Sequence, residues 1–365
     1  MKITAIKPLV IDCFRTNWVF VKVMTDEGLA GLGEGTLEYK EEALVGAIRD
    51  LEHALIGRDP FDTAWIQHEN YRDAYWRGGA VLMSALSAID MALWDIKGKA
   101  LGVPVWKLIG GACREAVPCY ANCWFSGAKE PAEFADKAAA AVARGFKGLK
   151  WDPFGRNYRQ LPPADFKKAM ACVAAVKAAV AGLEEFDPYW VEEPVIPDTL
   201  RALADVRSRV RVPIACGERL YTTQQILDAI ELRCCDYLQP DSSHAGGITA
   251  MKEIAGLCGA HHIPFCAHNP SGPVANAVTL ALGVSTPGYC IHETLFDDVP
   301  WRKDVIDEDV KFVDGLMYPS DRPGLGIELN EAAAAAHPKQ DHWLRHYAGT
   351  LTNIRPPDAV SYYHA

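Results

Sequence analysis

Apolar and polar positions alternate with a period of two along "MKITAIKPLVIDCFRTNWVFVKVMTDEGLAGLGEGT". With a glycine-bearing turn at "TDEGLAG", this predicts two or three strands in an antiparallel meander. The period then becomes helical. In "EEALVGAIRDLEHALIG" and "AVLMSALSAIDMALWDIKGKALG" apolar residues recur at helical spacing, and each run closes on a glycine of the kind that caps a helix C-terminus. Residues 1–115 thus read as an α+β unit.

From residue 116 to 320, short apolar runs alternate with amphipathic helical runs, the sequence form of parallel βα units. The expected strands are "AVPCYANCW", "GFKGLKWDP", "PYWVEEPV", "VPIACGE", "CCDYLQPD", "HIPFCAHNP" and "GYCIHET". Six of the seven finish in ionisable residues. In a βα barrel that end is where the loops build the active site, whereas the opposite end serves stability. The tail, 321–365, loses the alternation and is expected to pack back on the first unit or on a neighbouring subunit.

Composition narrows the class. A chain of 365 residues exceeds one ordinary core and suits a barrel with an accessory domain. No run of 18 apolar residues is present, which argues against membrane insertion. The N-terminus begins as a strand and lacks the pattern of an export signal, so a cytoplasmic enzyme is expected. Eleven cysteines are scattered without metal-ligand spacing and read as buried, reduced thiols. A formal charge of −10 disfavours nucleic acid, while a small anionic substrate stays compatible if a local metal ion outweighs the diffuse field.

The chemistry sits at the strand ends. Glu192 and Glu218 end successive strands and would point into one mouth, as hard oxygen ligands suited to Mg²⁺. Glu193 should face the other side by alternation. Asp241 and His268 end the next two strands, so the carboxylate would fix the imidazole tautomer and make His268 a general base. Histidines 244, 261 and 262 have no such partner in the pattern. Glu293, on the last strand, would face the metal either as a protonated acid or as a member of an ordinary ion pair. Together these residues describe proton abstraction next to a carboxylate, with charge stabilisation on the resulting enediolate.

In family terms the chain resembles the enolase superfamily, specifically the mandelate racemase subgroup and its galactonate-dehydratase-like acid-sugar dehydratases. The resemblance rests on "SAIDMALWDIKGKALGVPVWKLIGG", "GFKGLKWDPFG", "WVEEPV", "IACGERLYT", "LQPDSSHAGGIT", "AHNPSGPV" and "IHET", in that order. It implies a modified TIM barrel of the (β/α)7β type under an N-terminal capping domain, Mg²⁺, an aldonate or aldarate substrate, and a homo-oligomer. It also implies Glu192 and Glu218 as metal ligands, Asp241 with His268 as the base dyad, and Glu293 as the acid. One departure stands out. The family's third-strand ligand, and the His that follows it in these dehydratases, have no counterpart between Asp152 and Tyr189, where one helix leads directly into "LEEFDPYWVEEP". One βα unit reads as deleted, with the join near Gly182. The strands ending at Asp152 and Glu192 would then become neighbours able to pair directly, and Asp152 would be the speculative stand-in for the lost ligand. Lys150 occupies the family's catalytic-lysine position and reads as an anion contact or a second base. Three readings follow: a sugar-acid hydro-lyase, a hydroxy-acid racemase or epimerase using Lys150, and a catalytically impaired derivative.

Overall fold

The alternating N-terminal run folds as β1 (Ile3–Asp12), β2 (Asn17–Thr25) and β3 (Ala30–Glu34) in the computed structural model, which describes residues 1–155, 157, 160–180, 188–342 and 354–361. The three strands form an antiparallel sheet in the order β1-β2-β3. Helices α1 (Glu41–Leu55), α2 (Thr63–Arg72) and α3 (Ala80–Leu101) follow, and α3 ends on Gly102 in the left-handed region at φ 70°. Three alternate glycines of the sheet segment let α3 lie directly on it. A Cβ added at Gly31 would stand 2.0 Å from the Ala92 carbonyl oxygen, one at Gly33 1.8 Å from that of Ala88, and one at Gly35 2.6 Å from that of Ser84. The strand period of two is thereby matched to successive turns of the helix.

After the short α4 (Val105–Leu108) come the parallel staves: β4 (Val117–Asn122), β5 (Gly148–Leu149), β6 (Val191–Glu192), β7 (Ile214–Cys216), β8 (Tyr237–Leu238) and β9 (His292–Leu295). The helices between them are α5 (Pro131–Ala143), α6 (Pro163–Ala179), α7 (Leu200–Arg209), α8 (Thr223–Glu231), α9 (Gly247–Ala260) and α10 (Pro273–Ser285). Ladders join β6 to β7 and β7 to β8; parallel bridges then run from Leu238 to Phe265 and on to Tyr289; β9 pairs with β4 and β4 with β5. The stave expected over "HIPFCAHNP" is thus reduced to bridges at Phe265 and His268. The architecture is an α/β modified TIM barrel beneath an N-terminal α+β cap.

Among the described residues no ladder closes β5 onto β6, so the direct pairing of those strands expected from the sequence is not formed. Only α6 lies between them among those residues, and the expected join near Gly182 falls outside them. The chain beyond the barrel returns to the first sheet. Glu331 meets Lys7 at 2.5 Å and Lys22 at 2.6 Å, and His342 meets Asp12 at 2.9 Å. No helix among the described residues is long and apolar enough to cross a membrane.

Cap and barrel are also tied through Glu34. Its buried carboxylate accepts the backbone N–H groups of Gly272 at 2.7 Å and Ala275 at 2.9 Å, capping the otherwise unsatisfied first turn of α10. All thirteen residues of α10 are buried, so water cannot replace the cap. A Glu34→Gln variant has one carbonyl oxygen for three donors, the Thr36 hydroxyl being the third, and a stability loss of about 1–3 kcal/mol is expected. Urea titration checks this through a lowered midpoint at unchanged slope.

Candidate active site

The C-terminal ends of the staves bring Glu192, Glu218 and His268 together, with one ligand atom from each within 4.8 Å of the others. Glu192 ends β6, Glu218 follows β7, and His268 lies on the stave that bridges to β8. Beside them, Asp241 and His268 form a parallel bridge, which sets the two side chains next to each other.

His268 Nδ1 stands 2.8 Å from Asp241 Oδ2, and the other Asp241 oxygen accepts the Ser243 N–H at 2.7 Å. Although burial would raise the Asp241 pKa, the nearby His244 and His268 hold it below its ordinary value. Nδ1 therefore donates to a carboxylate, leaving Nε2 toward the mouth, 3.5 Å from Glu218 Oε2. Burial pulls the imidazole pKa down, but Glu218, Glu293 and Asp241 outweigh it and carry the group up to about 10.

Glu293 is fully buried and densely bonded. Its Oε1 accepts from Asn122 Nδ2 at 2.7 Å, and its Oε2 from the Tyr120 hydroxyl at 3.0 Å and the Asn269 N–H at 3.1 Å. The Lys150 ammonium lies 3.3 Å from Oε1. Burial raises this carboxyl, yet Lys150, His268 and these donors hold it below its usual value. Of the two readings of Glu293 the structure favours the ion pair, because every neighbour named here donates to the charged form.

Lys150 reaches further than the sequence suggests. Its Nζ is 2.7 Å from Glu192 Oε2, linking the ends of β5 and β6. Burial lowers its pKa, but Glu192 and Glu293 more than reverse this and keep it charged. Asp152 does not join the cluster. Its side chain is exposed and Oδ1 accepts the Phe154 N–H at 2.8 Å within its own turn, so it does not replace the third-strand ligand. Glu193 faces away, as alternation requires, and pairs with Arg219 at 2.5 Å.

Some site residues were missed by sequence reasoning. His244 does have partners: its Nδ1 is 2.8 Å from the Ser84 hydroxyl of the cap, and its Nε2 is 3.9 Å from Asp241. Its place three residues after Asp241, in the turn that opens α9, was the available signal. Asn122 and Tyr120 lie at the end of β4, a position that barrel logic marks even without an ionisable group.

The fit to a divalent cation turns on Glu192. Both of its carboxylate oxygens are buried and lack a hydrogen bond of acceptable geometry; Lys150 meets the charge through an ion pair. Orphaned buried oxygens facing a second carboxylate and an imidazole make a donor set that suits a divalent metal, with Glu192 and Glu218 supplying the hard ligands.

Comparison with known proteins agrees with this geometry. Residues 5–110 match the model of the mandelate racemase / muconate lactonizing enzyme N-terminal domain, and residues 179–333 that of the enolase C-terminal domain-like family. The chain is 32% identical to a D-gluconate dehydratase of Thermoproteus tenax over 360 residues, covering 90% of this chain and 72% of that protein. It is likewise 32% identical to a D-galactonate dehydratase of Verminephrobacter eiseniae (strain EF01-2), covering 87% and 90% of the two. Among solved structures, a member of the enolase superfamily from Salmonella Typhimurium superposes with a TM-score of 0.86 at 28% identity, covering 93% of this chain and 99% of that one. A mandelate racemase/muconate lactonizing enzyme from Jannaschia sp. CCS1 gives 0.85 at 29% identity, covering 94% and 99%.

Proposed function

Because the chain belongs to the mandelate racemase/muconate lactonizing enzyme family of the enolase superfamily, we propose that it is a Mg²⁺-dependent hydro-lyase of a sugar acid, an aldonate or aldarate. The observation that carries this reading is the His268–Asp241 pair opening onto Glu192 and Glu218 in one mouth. The two dehydratase relatives supply the substrate class.

In this reading His268 Nε2 removes the proton from the carbon next to the substrate carboxylate, while Asp241 holds Nδ1–H and stabilises the imidazolium that forms. The neighbouring hydroxyl leaves as water, taking up the proton that His268 gained from the carbon, and the enol tautomerises to a 2-keto-3-deoxy acid. A divalent cation held by Glu192 and Glu218 would offset the carboxylates that raise His268 and draw off charge from the enediolate oxygen. The Lys150 ammonium, paired here with Glu192 and Glu293, would attract an anionic substrate. Its two ion pairs weigh against the racemase or epimerase reading, since a second base must be free and neutral.

Incubation with a panel of hexonates and aldarates, assayed for 2-keto-3-deoxy products with Mg²⁺ and with EDTA, tests the proposal. Product from one or a few acids, lost in EDTA, is expected. Full turnover in EDTA, or epimerised acid without dehydration, would overturn it.

A further inference from the structure

The mouth already contains a cation. Lys150 Nζ sits between carboxylates from two walls of the barrel, 2.7 Å from Glu192 Oε2 and 3.3 Å from Glu293 Oε1. It arrives from the end of β5, which no ladder joins to β6 among the described residues. Glu192 is one of the two carboxylates a divalent ion would need, and both of its oxygens are buried.

We propose that Lys150 is an internal competitor for the cation site: its ammonium and a divalent ion use the same Glu192 carboxylate, and the metal binds only when the Lys150–Glu192 pair is broken. This rests on the reading of Glu192 and Glu218 as the cation-holding pair. The physical reason is twofold. Two positive charges a few ångströms apart in a site of low polarisability repel strongly, so they cannot share one carboxylate at small cost. The ion pair must also be separated before the metal gains its ligand, so the pairing energy is subtracted from the metal's affinity. An ammonium on a flexible four-carbon stem can rotate away from Glu192, which makes the competition reversible.

The test measures binding, not catalysis. Mn²⁺ is titrated into the full chain and free ion is counted by electron paramagnetic resonance, with Mg²⁺ as a competing ion. Lys150→Met, which keeps the length of the side chain and removes the charge, is expected to bind Mn²⁺ about 10- to 100-fold more tightly than the unmodified chain. Lys150→Arg keeps a charge there and should bind no more tightly than the unmodified chain. Arg219→Met removes a positive charge that is paired with Glu193 and not with Glu192, and should change affinity by less than about threefold. If Lys150→Met does not fold, Lys150→Gln replaces it. Equal or weaker binding in the neutral variants, or an equal gain in Arg219→Met, would overturn the proposal. The hydro-lyase reading is tested separately: a variant that gains metal affinity in a chain turning over no sugar acid leaves this inference standing and removes that one.

Discussion

A His268→Asn variant is expected to lose exchange of the proton next to the substrate carboxylate and to turn over about 10²–10⁴-fold more slowly, the range for removal of a general base. Asparagine retains a polar group at the Asp241 contact, so the bridge between the two staves and the fold should persist, but nothing remains at the Nε2 position to take a proton. Deuterium uptake from heavy water, read by mass spectrometry or NMR, isolates this step from loss of the hydroxyl. Asp241→Asn should give a similar fall. The amide can still accept the Ser243 N–H, yet it removes the charge that holds Nδ1–H and stabilises the imidazolium. Retained exchange in His268→Asn would assign the base elsewhere, and an unchanged rate in Asp241→Asn would mean that another group orients the ring.

Both residues were legible in the sequence because strand ends are local features. A short apolar run finishing in a carboxylate or an imidazole places that group at the barrel mouth whatever the rest of the chain does, which is why Glu192, Glu218, Asp241, His268 and Glu293 could be proposed as site residues from the sequence alone. Alternation also placed Glu193 on the far side, where Arg219 meets it. What the sequence hid was pairing over long separations. Lys150 meets Glu293 across 143 residues, and Glu34 reaches Gly272 across 238. Neither contact has a local periodicity to announce it. Asp152, the speculative stand-in, accepts the Phe154 N–H in a local turn that competes with a reach toward the mouth, a common fate of Asp two residues before an available N–H. The same competition explains the stand-in that the fold does show. With Asp152 turned away, Lys150 is the β5-end residue that reaches Glu192, so the expected third anionic ligand is replaced by a positive charge.

That exchange of charge sets the last expectation. Inserting a βα unit between α6 and β6, taken from a dehydratase relative and ending in an Asp followed by a His, should raise Mg²⁺ affinity and sugar-acid turnover, each by at least about 10- to 100-fold. This is the size of effect measured for groups that only support metal ligands, and a direct ligand should not do less. Three effects act together. A third hard oxygen completes a set that now holds two carboxylates, and Mg²⁺ needs that charge to stay bound. A stave between β5 and β6 supplies backbone partners to the two edges that no ladder joins among the described residues, so the urea midpoint should rise as well. The same stave separates Lys150 from Glu192 and frees that carboxylate. Because the insertion and Lys150→Met both act on Glu192, their gains in affinity should fall well short of additive when combined, the signature of residues sharing one partner. Metal titration of the four proteins, unmodified, inserted, Lys150→Met and combined, measures this directly. If the unmodified chain already binds Mg²⁺ as tightly and turns over as fast as the inserted one, the lack of that βα unit is no defect in the site; if the two gains add in full, Lys150 weakens metal binding by some route other than Glu192.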